Sequence, residues 1–258
     1  MGSGIAHRLH QCHMRVLITE AAVPTAVRRT VAFAEAVYEG EHTVEGVKAI
    51  GIENAESAGD VWNRGAIPLI VDPNAESRHA VEPAVLVDAM MAKKNSSTTI
   101  TDAHLVIGVG PGFTAGINAH AVVESNRGYF LGRVIWNGTA EPDTGAPAPV
   151  GGHTYARVLR APRDGKFNAH KAIGDFVAHG EVIGEVEGVA VRGEIPGLVR
   201  GLIRDGVEVT QGLKIGDIDP RTERGYCYVI SDKARAIGGG VLEAILHSFK
   251  GLKVEIGD

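Results

Sequence analysis

The ten residues Ile107-Gly-Val-Gly-Pro-Gly-Phe-Thr-Ala-Gly116 hold four glycines, and His120-Ala-Val-Val-Glu-Ser-Asn-Arg-Gly128 follows them. Glycine takes positive φ without a Cβ penalty and leaves its N–H uncovered, which is what cradling an anion such as a phosphate needs. Gly110, Gly112 and Gly116 are therefore the candidate cradle, with Thr114, Asn126, Arg127 and the upstream Lys93 as cofactor-binding side chains. His120 and Glu124 are the candidate catalytic acid and base. Two plainer explanations stand beside these. Pro111 and Phe113 suit a tight structural turn, and His120, Val122 and Glu124 alternate like one face of a paired strand. The pattern is neither G-x-G-x-x-G nor a P-loop, since no Gly-Lys-Ser/Thr follows.

Strands must deliver these residues. Ala103-His-Leu-Val-Ile107 is a short apolar run bounded by Asp102 and Gly108, and it reads as a buried strand ending in the glycine turn. Earlier apolar runs also end in acids: Met14 to Glu20, Ile67 to Asp72 and Pro83 to Asp88. Such runs fit a covered parallel sheet, whose carboxyl strand ends are where ligands bind in open α/β folds. Ile5 and Leu9 share one face of an opening helix, and Glu20 comes 18 residues after Gly2. Gly2, Gly4 and Glu20 thus look like the back half of a dinucleotide fingerprint, which raises NAD(P) as a cofactor and an oxidoreductase as one function. A parallel unit needs a strand before that turn, so the sequence is expected to lack its N-terminal strand and to leave the first helix beside an empty sheet position. A helix is expected from Pro24 to Val37 and a single alternating strand over Val44 to Ile50. Arg28 and Arg29 are either a solvated pair or an anion clamp.

The second half is organised differently. Residues 137–153 hold three prolines and four glycines and mark a boundary. Beyond it the sequence repeats at an offset of 32 residues, pairing Arg160 with Arg192, Gly165 with Gly197, Gly174 with Gly206, Gly180 with Gly212 and Gly184 with Gly216. Short strands with glycine at each corner, repeated twice, predict an antiparallel barrel or sandwich. The wording resembles the lipoyl/biotinyl barrel-sandwich hybrid, but the joint Val186 to Val191 has no lysine to modify, so a carrier role is improbable. Ser231 to Phe249 predicts a capped closing helix, with Gly238-Gly-Gly240 inside it attributed to close packing. The expected fold class is α/β, a Rossmann-like parallel sheet domain followed by a barrel-sandwich hybrid. The expected segments are 1–100, 101–155, 156–222 and 223–258.

The 258 residues carry 26 basic and 31 acidic side chains with no basic run, which argues against nucleic acid as a partner. No apolar stretch is long enough for a membrane span and no signal peptide is evident, so a cytoplasmic protein is expected. Cys12 and Cys227 lie far apart, and His7, His10, Cys12 and His13 offer no second group for a structural zinc, so no metal is expected.

Several longer strings carry a resemblance: Pro24 to Arg29, Gly110 to Gly116, His120 to Glu124, Leu131 to Ile135, Gly216 to Arg221 and Ser231 to Ala244. Through them the chain resembles the accessory proteins of the selenium-dependent molybdenum hydroxylase system, of the YqeB type. The resemblance implies a maturation factor that binds a nucleotide-bearing cofactor, such as a molybdopterin dinucleotide, at an interdomain glycine-rich site. It also implies a molybdenum hydroxylase or its maturation factors as partners, with a homo-oligomer left open.

Overall fold

The structure is a computed structural model and describes residues 1–92 and 97–249. Its first half is built on two four-stranded sheets. Sheet one contains β1 (Ile18–Glu20), β2 (Glu41–Val44), β3 (Val47–Ile52) and β4 (Ile67–Val71) in the order β1-β4-β3-β2. β1, β4 and β3 run parallel, with Ile18 opposite Leu69 and Ala49 opposite Ile67. β2 returns antiparallel through Glu45 and Gly46, both at positive φ. Sheet two contains β5 (Val85–Asp88), β6 (Leu105–Val109), β8 (Ala121–Val123) and β9 (Val134–Ile135) in that order, the first three parallel and β9 antiparallel. β7 (Thr114–Ala115) pairs with β10 (Gly138–Thr139) as a two-stranded ribbon. β6 and β8 are fully buried, as their unbroken apolar sequence requires.

Helices α1 (Gly2–Gln11) and α5 (Asp232–Ser248) pack together against sheet two, with Ile5 and Leu9 meeting Ile237, Val241 and Ile245 among β6 and β8 residues. The shorter helices are α2 (Ala36–Glu39), α3 (Ala58–Asn63) and α4 (Arg78–Val81). Each fully buried Ile or Val of that cluster is worth about 1.5–3 kcal/mol over its exposed state. Ser231 caps α5 by accepting the Ala234 N–H at 3.2 Å. The helix glycines serve close approach: a Cβ on Gly238 would stand 3.2 Å from the Gly4 carbonyl oxygen, and one on Gly240 would collide with the Gly132 carbonyl.

The second half pairs two antiparallel sheets over one core that includes Phe167, Ile183, Val199, Leu202, Ile215 and Ile218. One sheet runs β11 (Val158–Arg160), β18 (Lys214–Asp219), β16 (Gly197–Leu202), β13 (Phe176–Val177). The other runs β15 (Val189–Arg192), β14 (Val182–Val186), β12 (Gly165–Ala169), β17 (Glu208–Val209). Adding 32 to the residue numbers carries β11 through β14 onto β15 through β18, and the same operation exchanges the two sheets. Corner glycines match in backbone as well: Gly174 and Gly206 have φ +96° and +81°, and Gly180 and Gly212 have +80° and +82°.

The fold class expected from the sequence is corrected. No single Rossmann-like parallel sheet followed by a barrel-sandwich hybrid is present; several small mixed and antiparallel sheets take its place. The apolar runs do form strands, but antiparallel β2 and β9 turn back at the outer ends and no described strand links β1 to β5. Sheet two also crosses residue 100, where a segment boundary was drawn. The stretch read as one strand over Val44 to Ile50 is a hairpin of β2 and β3. The helix expected from Pro24 to Val37 is replaced by 3-10 turns at Arg29–Val31 and Phe33–Glu35 and the start of α2. Its backbone is drawn to the second half instead: Leu202 N–H donates to the Val27 carbonyl at 2.7 Å, and Arg29 Nε donates to the Leu202 carbonyl at 2.8 Å.

Candidate functional site

The glycine-rich segment spends its polar groups on itself. Gly110, Gly112 and Gly116 have φ of +82°, +100° and +83°, as a cradle would need. Yet Gly110 N–H donates to the Val123 carbonyl at 2.9 Å and Gly116 N–H to the Ala119 carbonyl at 2.8 Å. The Thr114 N–H donates to Asn118 Oδ1 at 2.7 Å. His120 Nδ1 accepts the Val106 N–H at 3.0 Å and so extends the β6 ladder. Glu124 is 2 % exposed. Its two carboxylate oxygens accept the Asn126 N–H at 2.6 Å and the Glu141 N–H at 2.7 Å. Asn126 Nδ2 donates to Glu141, and Arg127 makes a two-pronged ion pair with Asp232 at 2.6 and 3.0 Å. A carboxylate holding two amide donors and an arginine already paired are poorly placed to meet a ligand. The structure thus assigns this cluster to holding the β8–β10 loops and the start of α5. Lys93 lies outside the described residues.

Of the other sequence-marked residues, Gly2 lies at a groove beside β1 and β5. A groove of about 520 Å³ runs between these strands, walled by Ile5 and Leu9 of α1, Val16, Ile18, Val85 and Val87, with Gly2 at one end. A Cβ on Gly2 would lie 3.8 Å from that of Ala89, so the amino end of α1 sits at the carboxyl end of β5. A second cavity of about 210 Å³ opens beside it and is lined by Thr19, Asn74, Arg78, Asp88, Thr98 and Asp102. The carboxyl ends of β1 and β5 reach this cavity, as does the loop after β4, the place where strand ends leave backbone and loop groups free for a ligand. Glu20 ends β1, accepts the Ala21 N–H at 2.8 Å, and lies within electrostatic reach of the amino end of α1. Gly4, by contrast, is packed against Ala234 and Ile230 and contributes helix contact.

Polar groups fix the cleft's mouth. Burial pushes the Asp72 carboxyl up, but N–H donors from Ser77 and Glu76, at 2.7 and 3.0 Å, outweigh it and hold the group ionised below its usual range. Asp88 is 6 % exposed and accepts from Met90 N–H and Thr98 Oγ1 at 3.1 and 2.7 Å. Arg78 donates through Nη1 to the Asn74 and Ala75 carbonyls, while its buried Nε makes no hydrogen bond and faces Asp102 at 3.6 Å. Sequence reasoning marked Asp72 and Asp88 by their strand ends but missed Arg78, which no motif surrounds.

Arg28 and Arg29 are docking residues. Arg28 donates to the Tyr226 and Val229 carbonyls at 2.8 and 3.1 Å, and Arg29 pairs with Glu35. Cys227 is buried with its thiol toward the Val199 carbonyl, and burial pushes its pKa up, away from nucleophilic chemistry. Among the described residues no three His, Cys, Asp or Glu side chains assemble as a metal-binding group, and no helix is long and apolar enough to cross a membrane.

No family model matches the chain. Over 246 residues, 95 % of its length, it is 46 % identical to the uncharacterized protein YqeB of Escherichia coli (strain K12), and this match supports the YqeB family name. The chain spans about half of that relative, 46 % of its length. Among solved structures it is similar to a succinylglutamate desuccinylase/aspartoacylase from Rhodobacter sphaeroides, at 13 % identity and TM-score 0.25, covering 79 % of this chain and 84 % of that one. The ectoine utilization protein EutE (DoeB) from Ruegeria pomeroyi matches with 15 % identity, TM-score 0.28 and the same coverages. An aspartoacylase family protein from Mesorhizobium loti matches 24 % of this chain and 22 % of that one, at 20 % identity and TM-score 0.23. Likeness this low carries no argument about fold or activity.

Proposed function

We propose that the chain binds a nucleotide-bearing cofactor in the cleft at the carboxyl ends of β1 and β5, and acts as an accessory protein in maturing selenium-dependent molybdenum hydroxylases. The observation that carries the ligand reading is that Thr19 of β1, Asp88 of β5 and Asn74 of the loop after β4 line one cavity, while Gly2 of α1 lines the adjoining groove and the chain's amino group lies within electrostatic reach of Glu20. Strand ends of this kind and a helix amino terminus together suit a ribose and a pyrophosphate. Glu20 would accept from ribose hydroxyls, and Thr19 and Arg78 would contact the remainder of the ligand. The hydroxylase system rests on the sequence resemblance alone. A nicotinamide-dependent oxidoreductase is the second reading, favoured by the position of Glu20 at the end of β1.

Calorimetric titration with a molybdopterin dinucleotide, NAD(H) and NADP(H) tests the proposal. Glu20→Ala is expected to weaken the ligand that binds by about 1.5–3 kcal/mol, the worth of a hydrogen bond to a charged group. His120→Ala and Arg127→Ala are expected to leave affinity unchanged. Absence of binding by all three nucleotides would defeat the ligand reading, and normal hydroxylase activity in cells lacking the protein would defeat the maturation reading. NAD(H) binding with turnover of a carbonyl substrate would favour the oxidoreductase.

A further inference from the structure

We propose that the smaller cavity, at the carboxyl ends of β1 and β5, takes the ring of the bound cofactor and not its phosphates, and that it selects a fused ring whose edge carries an N–H beside an amino group, as guanine and pterin do. This inference rests on the cofactor reading and names the part of the ligand that enters the cavity. Size gives the first argument. At about 210 Å³ the cavity is smaller than the roughly 300–1,000 Å³ that encloses a drug-sized ligand, so it has room for a ring system but not for a whole nucleotide.

Charge gives the second. The lining carries three carboxylates, Glu76, Asp88 and Asp102, against one guanidinium, Arg78. Arg78 is already engaged: its Nη1 donates to the Asn74 and Ala75 carbonyls, and Glu76 and Asp102 are its ion partners. A phosphate placed here would meet like charge at short range in a partly desolvated site, where repulsion is strongest. An ionised carboxylate accepts hydrogen bonds and cannot donate them, so this lining calls for a ligand rich in donors. Asp88 Oδ1 holds the Met90 N–H and its Oδ2 the Thr98 Oγ1, which leaves each oxygen a second lone pair. Asp102 Oδ2 accepts the Thr99 N–H at 2.8 Å, while its Oδ1 accepts no hydrogen bond among the described residues and stands 3.6 Å from Arg78 Nε. An N–H and an amino group side by side on a ring suit such acceptors, through charge-assisted bonds. A ring that presents a carbonyl oxygen at the same edge would set lone pairs against lone pairs and leave a carboxylate unpaired. Pro73, Leu86 and Met90 supply apolar contact for the ring faces, and a methionine thioether packs favourably on an aromatic ring.

Calorimetric titration of the 258-residue chain with phosphate-free rings tests this. Guanosine is compared with inosine, which lacks the amino group, and pterin with lumazine, which carries a carbonyl in its place. The expected result is that guanosine or pterin binds about tenfold or more tighter than its counterpart, the worth of one charge-assisted hydrogen bond. Asp102→Asn should lower that affinity about tenfold, and the comparison of rings on wild type stands even if this variant fails to fold. Equal affinity within the pairs overturns the proposal, as does absence of binding by all four rings at millimolar concentration. Methylguanidine binding as tightly as guanosine would mean a simple cation site and also overturns it. Inorganic pyrophosphate that displaces guanosine would place phosphate in the cavity, with the same consequence. Failure of the cofactor reading shows separately: ring preference without binding of any dinucleotide removes that reading alone, and a dinucleotide that binds while the rings show no preference removes this inference alone.

Discussion

The two halves of this molecule solve the same problem, burying a sheet, in opposite ways. In the second half each sheet is the other's cover, and the 32-residue repeat makes the two nearly interchangeable. In the first half helices α1 and α5 close one face of sheet two, and among the described residues no strand pairs with the outer side of β1 or β5. Self-complementary sheets need no outside contribution, so that half should unfold as a unit. Sheets held by helices and loops from other parts of the chain depend on those contacts, and such regions tend to be among the less stable parts of a structure.

The largest expected effect tests how the second half is held. Asp217 is 2 % exposed and takes hydrogen bonds from Arg157 and Arg200. Asp217→Ala removes the carboxylate that Arg157 and Arg200 share, leaving Arg157 the Ala148 carbonyl and Arg200 the Asp219 carboxylate, and should cost about 3 kcal/mol in urea unfolding. Glu185 occupies the equivalent place in the sister strand β14 and is half-buried, so Glu185→Ala should stay within about 0.5 kcal/mol. Equal losses would erase the asymmetry claimed here. A middling effect tests the first half: Gly238→Ala sets a Cβ against the Gly4 carbonyl. Crowding of this kind costs about 1–3 kcal/mol, partly offset by about 1 kcal/mol of helix propensity, and exchange should rise in α1 before it rises in the second half. Ser231→Ala removes the α5 cap and should cost about 1 kcal/mol by thermal melting.

The smallest effect concerns Arg127. Its two hydrogen bonds, opposed by burial and helped by the Lys233 N–H, hold Asp232 at a pKa of about 2, below the usual 3.8. A depressed carboxylate stabilises the fold at pH above the unfolded value, and that contribution is lost as pH falls from 3.8 through about 2. The Asp232 side chain is 70 % exposed, so solvent screening keeps the pair below about 1 kcal/mol. Arg127→Ala should therefore lower stability slightly at neutral pH, with the difference from wild type vanishing near pH 2. A loss that persists at that pH would mean Arg127 acts through packing.

Much of the second half was legible because glycine spacing is a local signal: left-handed corners recur where the sequence places glycine, at Gly174, Gly180, Gly206 and Gly212. The closing helix was legible for similar reasons, through Ser231 and the apolar spacing of Ile237, Val241 and Ile245. The candidate site was not. Whether Glu124 meets a ligand or the Glu141 N–H depends on where the β8–β10 loops fold back, and nothing within reach of Glu124 in sequence declares it. The Pro24 segment misled for the same reason, since its helical pattern was overridden by the Leu202 backbone, 175 residues beyond Val27. Gly2 lines the groove beside β5 while Glu20 ends β1 in the other sheet, a division that local sequence does not announce.

A module with interchangeable sheets has an addressing problem: turned half a revolution, it would offer its neighbour almost the same backbone. The side chains differ where the backbones match. Where one sheet carries Arg157, Arg200 and Asp217, the matching positions of the other are Val189, Asn168 and Glu185. Only the first sheet receives the Val27–Arg29 segment, through Leu202 and the charge cluster near Arg28. The ion network thus belongs to one of two near-copies, the same one whose Leu202 backbone receives the segment from the first half.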